Sequence, residues 1–209
     1  MLSKDRPLVV RGRTLEQVWR QAVTGIKIHG EKVKRERGPV KEVRGLIAHL
    51  EPSGPESFDI PDDYPLDEHS VRAYEDQLLD PEPRGFEYTY GNRLRRYFGL
   101  DQVEKISERL STSRNTRRAV AVTWDPRRDL DEEEVPCLTA LQLQSDGDHG
   151  LELHAFYRSW DVGKALVANM IALRRFQEHV AERAGLKPTT LTVYAANAHV
   201  YEEDLSVLP

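Results

Sequence analysis

The segment from 162 to 184 constrains this chain most. Val162, Leu166, Asn169, Met170, Leu173, Phe176 and Val180 fall on one stripe at helical spacing, and Gly185 closes the pattern. A helix of that length must lay its apolar stripe on another layer. Strand patterns stand on either side of it. Residues 137–144 and 151–157 flank Asp146-Gly147-Asp148-His149-Gly150 and predict a β-hairpin, and 191–196 predicts a last strand before a short helix or tail. Residues 43–50 and 119–124 also read as strands, the second short and buried. Thr14 opens an amphipathic helix on Leu15, Val18, Trp19, Ala22, Val23 and Ile26, and Gly30 stops it. Asp67 caps a helix running to about Leu79, and another is expected around 100–110. The basic stretch 31–39 reads as a solvated loop, 51–65 as a loop rich in Pro, Ser, Gly and Asp, 84–91 as aromatic and part strand, and 125–134 as a charged loop. Helices and strands mix without regular βαβ alternation, so the expected class is α+β.

The chain has 209 residues, which suits one domain over 1–209 with a substantial core. Its 30 basic and 35 acidic residues leave a net charge of -5, which gives no whole-protein reason to expect nucleic acid as a partner. A phosphorylated small molecule needs only a local arginine cluster. No apolar run approaches the roughly 18 residues that cross a bilayer, and residues 1–13 lack the apolar core of a signal peptide. The expectation is a cytoplasmic protein with no membrane partner. The one cysteine, Cys137, excludes an intrachain disulfide and any cysteine-based zinc site. It is either a small buried apolar residue or a reactive thiol.

Four places can carry chemistry. Asn169 is the polar member of the apolar stripe, and a buried amide needs partners, in the core or on a ligand with donor and acceptor edges. Arg158, Ser159 and Asp161 lie between a strand end and a helix start, where a guanidinium, a hydroxyl and backbone N–H groups suit a phosphate. Asp161 equally suits a plain N-cap. Arg117 and Arg118 stand before a strand, a position that often faces solvent. Cys137 begins a strand behind Pro136 and an acidic loop, so any positive charge that lowers its pKa must come from elsewhere in the fold.

In order and spacing, these pieces resemble the thymidylate synthase family. The matching runs are Tyr90-Gly91, Thr116-Arg117-Arg118-Ala119-Val120, Trp124-Asp125-Pro126, Pro136-Cys137 with Gln142 five residues on, Arg158-Ser159-Trp160-Asp161 with Asn169 eight beyond, and Ala198-His199-Val200-Tyr201. The short length and Tyr88-Thr89-Tyr90-Gly91 look most like the compact archaeal-type branch. The resemblance implies a mixed α/β sandwich that dimerises through a sheet, with active sites shared in a homodimer. It implies that Cys137 adds to C6 of a pyrimidine nucleoside monophosphate, and that C5 then attacks a one-carbon unit. The donor would be 5,10-methylenetetrahydrofolate or a related methylene-pterin such as a methanopterin, with no metal. Arg158 and Ser159 would bind the phosphate, joined by Arg117 and Arg118 of the other subunit and by Arg37 from a flexible loop. Asn169 would read the base edge, and His199 and Tyr201 would hold the sugar 3′-hydroxyl. Tyr90 would assist proton removal from C5, and Gln142 and Asp161 would orient base and cofactor. The family's proton-relay glutamate matches Glu75, with Glu51 as the fallback.

The chain departs from the family pattern at Leu138, where a histidine usually follows the cysteine, at Val167-Ala168 before the asparagine, and at Asn197. Its last residues, Val207-Leu208-Pro209, lack the aromatic, valine-ending tail that closes over folate. Three functions compete: methylation of dUMP, hydroxymethylation of a cytosine nucleotide by a relative of the same superfamily, and nucleotide binding without catalysis. Asn169 favours uracil, since the hydroxymethylases typically carry aspartate there, and the retained Cys137 favours catalysis.

Overall fold

A computed structural model of the chain describes residues 7–83 and 85–209. Its frame is a mixed sheet. Strands β1 (Leu8–Gly12), β2 (Glu31–Arg35), β3 (Gly38–Leu50), β4 (Ala119–Val122), β5 (Leu138–Ser145), β6 (Gly150–Tyr157), β7 (Trp160–Asp161) and β8 (Lys187–Tyr201) all belong to it. The main path runs β1-β3-β8-β6-β5-β4, with β2 paired to β3 and β7 to β8. β3 and β8 run antiparallel, with Val40 opposite Tyr201 and Leu50 opposite Leu191. β6 lies parallel to β8 and antiparallel to β5, as the hairpin reading requires.

Helices α1 (Leu15–His29), α2 (Glu68–Glu75), α3 (Tyr90–Asn92), α4 (Gln102–Thr112) and α5 (Leu166–Ala184) complete the fold. Thr14 starts α1 by accepting from the Gln17 N–H at 3.2 Å, and the Gly30 N–H closes it on the Ile26 carbonyl at 2.8 Å. Asp67 and Asp101 cap α2 and α4 the same way, on Ser70 and Glu104. α5 is buried nearly all round, from Leu166 to Ala184, and lies between the sheet and the other helices. It ends at Gly185, whose φ of +66° a glycine adopts without cost. It begins at Leu166, later than the apolar stripe does, because Asp161 Oδ1 accepts from the Gly163 and Lys164 N–H groups and holds that stretch as a turn.

Several expectations are corrected. Residues 31–35 form an edge strand, not a loop: their backbone pairs with β3 while most of the side chains stay in solvent, so no apolar alternation marks them. Residues 85–89 contain no strand, and Tyr90 opens a helical turn that continues as a π-turn over Arg93–Tyr97. β1 was not marked by the N-terminal charge pattern. α2 stops at Glu75, short of Leu79, and β8 begins at Lys187. β4 is not buried throughout, since Val120 is 46% and Val122 39% exposed.

That alternation describes one whole face of the sheet. The helices cover the face of Val10, Leu46, Ala121, Leu141, Leu153 and Val193. The opposite face leaves Val9, Val120, Val122 and Phe156 exposed, with Phe156 stacked on Tyr194 at 5.1 Å.

Candidate active site

Cys137 ends the acidic loop and directly precedes β5. Its backbone is clamped by the end of β6: the Arg158 N–H donates to the Cys137 carbonyl at 2.9 Å. The Arg158 guanidinium donates from Nε to the Pro136 carbonyl at 2.9 Å and from Nη2 to the Val135 carbonyl at 3.0 Å. The same Nη2 stands 3.7 Å from Cys137 Sγ. The β5–β6 register slips between Leu138 and Ala140, and the extra residue, Thr139, turns its hydroxyl to the Phe156 carbonyl at 2.9 Å. A bulge here re-aims the chain beside the thiol.

Burial pushes the Cys137 thiol up; Arg158 and then Arg37 pull it down, and Glu134 pushes it up again. The net position is above an ordinary cysteine. Arg37, in the turn between β2 and β3, is ion-paired with Glu134. The thiol therefore sits in a balance of two guanidiniums against one carboxylate.

Tyrosines surround it. The Tyr90 hydroxyl accepts from the Leu138 N–H at 3.3 Å, and the Tyr88 hydroxyl donates to the Val135 carbonyl at 3.2 Å. Tyr74 from α2 and Tyr157 from β6 complete the wall, both within the field of the thiol. Burial raises all of these hydroxyls, Tyr88 to about 12, so each stays a neutral donor. Gly91 makes the Tyr90 placement possible. A Cβ there would lie 2.0 Å from the Asp80 carbonyl oxygen, in the stretch that follows α2.

Asn169 is only 6% exposed. Its Oδ1 accepts from the Trp160 indole N–H at 2.9 Å, and its carboxamide pulls down the Tyr74 hydroxyl, which burial pushes up. Asp161 and His199 are opposite residues of β7 and β8. Burial lowers the His199 imidazole while the Asp161 carboxylate raises it; burial raises Asp161, opposed by its backbone hydrogen bonds and by His199. The His199 and Tyr201 rings meet edge to face at 5.4 Å, and Tyr201 lies in the field of Asp161, Arg37 and Cys137. Ser159 is half-buried between Arg158 and Trp160.

The fold thus brings Cys137, Arg158, Arg37, Tyr90, Asn169, Asp161, His199 and Tyr201 to one end of the sheet. It sends others elsewhere. Ala119 pairs with Leu143, so the exposed Arg117 and Arg118 lie about 20 Å along β5 from Cys137, at about 3.3 Å per residue. Gln142 is at that end too, its amide 3.4 Å from the Arg117 carbonyl. Glu75 bonds Arg72 at 3.3 Å and lines a different cleft with Arg174, Arg175 and Glu178. Glu51 meets His49 at 3.1 Å just past Leu50, at the end of β3 remote from Tyr201. Tyr74, Tyr157, Trp160 and Glu134 were not singled out from the sequence. Only the repeated tyrosines of Tyr88-Thr89-Tyr90 hinted at the wall.

Beside the thiol, Tyr74, Gln77, Phe86, Tyr88, Tyr90 and Glu134 line a cleft of about 460 Å³. Among the described residues, no group of three or more His, Cys, Asp or Glu is placed to hold a metal ion, and no helix is long and apolar enough to cross a membrane.

Residues 60–208 match the family model described as thymidylate synthase. A protein of Methanopyrus kandleri, provisionally named thymidylate synthase, is 91% identical over 209 residues and covers all of both chains. Proteins with the same provisional name are 36% identical in Methanococcoides burtonii, covering 94% of this chain and 90% of the relative, and 32% identical in Methanocaldococcus jannaschii, covering 93% and 90%.

Proposed function

This chain belongs to the thymidylate synthase family, and on that premise we propose that it methylates dUMP at C5 to give dTMP, with Cys137 as the nucleophile. The observation that carries the reading is the Cys137 thiol, 3.7 Å from the Arg158 guanidinium, with the buried Tyr74 hydroxyl influenced by both that thiol and the Asn169 carboxamide.

Arg158 has two tasks. Its guanidinium favours the thiolate over the thiol and, with Ser159 and Arg37, presents positive charge and a hydroxyl to the nucleotide phosphate. Arg37 must then exchange Glu134 for the phosphate. That exchange turns the Glu134 carboxylate away from its ion pair only when substrate is present. The thiolate adds to C6, and the negative charge that develops at O4 meets an Asn169 N–H. We assign the O4-side proton route to Tyr74, whose hydroxyl feels both the Asn169 carboxamide and the Cys137 thiol, because the neighbouring Glu75 lines the other cleft. The Tyr90 hydroxyl, held at the Leu138 N–H, assists removal of the C5 proton. His199, steadied by Asp161, and Tyr201 hold the sugar hydroxyl.

A methylene-folate or methylene-pterin supplies the one-carbon unit and the hydride when bound. The aromatic and amide lining of the cleft beside the thiol suits a flat pterin, with Glu134 available to its donor edge. The uncovered face of Val120, Val122, Phe156 and Tyr194 supports a homodimer, in which Arg117 and Arg118 of one copy complete the phosphate site of the other.

The test is trapping with 5-fluoro-dUMP and a methylene donor. The wild type should form a covalent adduct on the Cys137 peptide, and Cys137→Ser should form none. An adduct of equal yield in the serine variant contradicts the assignment.

A further inference from the structure

Asn169 can serve two different bases, depending on which way its carboxamide faces. With the N–H₂ toward position 4 and the oxygen toward N3, it donates to O4 of uracil and accepts from N3–H. Turned over, it accepts from the 4-amino group of cytosine and donates to N3. A freely rotating amide would therefore read both nucleotides.

The Asn169 amide is not free. Its Oδ1 is 2.9 Å from the Trp160 indole Nε1. An indole N–H only donates, so the atom facing it must be the acceptor. The indole itself cannot withdraw. Trp160 is 2% exposed and stacks on Tyr157 with ring centroids 5.4 Å apart and planes 24° apart. Turning the amide over would set its N–H₂ against the indole N–H, two donors without an acceptor, in a buried site. The oxygen keeps a second lone pair, which remains available to the N3–H of uracil.

We propose that Trp160 is a specificity-positioning residue: its indole N–H locks the Asn169 carboxamide in the orientation that accepts uracil and rejects cytosine. The proposal rests on the reading of Asn169 as the base-edge residue, and it goes beyond that reading. It assigns the discrimination to a second side chain that never touches the nucleotide. Trp160 lies inside the Arg158-Ser159-Trp160-Asp161 run, where the sequence alone assigns it no role.

Trp160→Phe keeps an aromatic ring against Tyr157 and removes the donor. A shape-preserving second variant places 3-benzothienylalanine at position 160, with sulfur in place of the N–H. The measurement is kcat/KM for dUMP and for dCMP, with one methylene donor, alongside thermal melting of each protein. In both variants the dUMP:dCMP ratio should fall about tenfold or more, as expected when a matched polar edge loses its fixed partner. The value for dCMP should rise even as the value for dUMP falls. A packing role alone would lower the melting temperature and both rate constants together. An unchanged ratio in the benzothienyl variant, in a wild type that prefers dUMP, overturns this inference and leaves the proposed function standing. A wild type that prefers dCMP overturns the proposed function, and this inference with it.

Discussion

Arg93 and Asp129 form a buried pair whose loss should be felt at the thiol. Arg93 follows α3, the short turn that carries Tyr90, and Asp129 lies in the acidic loop that ends at Cys137. The side chains are 2% and 1% exposed. Two hydrogen bonds join them, at 3.2 Å and 2.7 Å, and Asp129 also accepts from the Asp125 N–H at 2.8 Å. The guanidinium lies 4.0 Å from the Tyr97 ring centroid and 5.9 Å from that of Tyr88. Asp129→Asn deletes the counter-charge and leaves a guanidinium that cannot reach water. Breaking a pair of this kind costs about 3–5 kcal/mol. At roughly 2–4 °C per kcal/mol for a chain of this size, the midpoint should drop by about 10 °C. Arg93→Met with Asp129→Leu removes both charges and forfeits chiefly the bond to Asp125. That double variant should be more stable than Asp129→Asn alone by at least about 2 kcal/mol. Urea unfolding with the slope held constant reads both numbers, and nucleotide trapping at Cys137 reads the loop. A loss below about 1 kcal/mol for Asp129→Asn would refute the reasoning, as would a double variant weaker than the single.

Three further outcomes follow from the site. The pH profile of Cys137 alkylation by iodoacetamide should inflect above that of an ordinary cysteine, move down in Glu134→Gln and move up in Arg158→Gln, because the acid raises the thiol and the guanidinium lowers it; shifts of the same sign in both variants would contradict that balance. Asn169→Asp should lower kcat/KM for dUMP more than tenfold and raise it for dCMP, since a lost buried pair costs about 1–3 kcal/mol; an unchanged substrate ratio with a lower melting temperature would make Asn169 a core residue only. Mixing Arg117→Ala/Arg118→Ala protein with Cys137→Ser protein should restore activity that neither has alone; heterodimers seen by mass spectrometry without restored activity would speak against shared sites.

The elements that bury an apolar stripe were legible in the sequence. α1 between Thr14 and Gly30, α5 up to Gly185, and the β5–β6 hairpin at Gly147 all carry both a period and a stop. β2 was not legible, because an exposed edge strand such as Glu31–Arg35 is specified by its partner's backbone and needs no apolar alternation. The end of β8 was obscured by Asn197, which sits in the strand without an apolar signal. At the candidate site, motif spacing pointed to Cys137, Arg158, Asn169, His199 and Tyr201, and the fold gathers them from just before β5, just after β6, and from α5 and β8. It did not find Tyr74 or Tyr157. Their positions beside the thiol arise from tertiary packing, since a lone tyrosine on a helix or strand carries no sign of what it will face. Trp160 lay inside a recognised run, yet nothing in the sequence showed that its indole N–H would meet Asn169 Oδ1. Glu75 matches in sequence order, yet one residue away from Tyr74 on a helix its side chain lies on another face and lines another cleft.

The most direct test of the central claim is tritium release from [5-³H]dUMP and [5-³H]dCMP by the wild-type protein with a methylene donor, with the nucleotide product identified by mass. The account predicts rapid release from the uracil nucleotide and a product heavier by one methyl group in place of the lost hydrogen. Preferential release from the cytosine nucleotide, or a hydroxymethyl product, would contradict it.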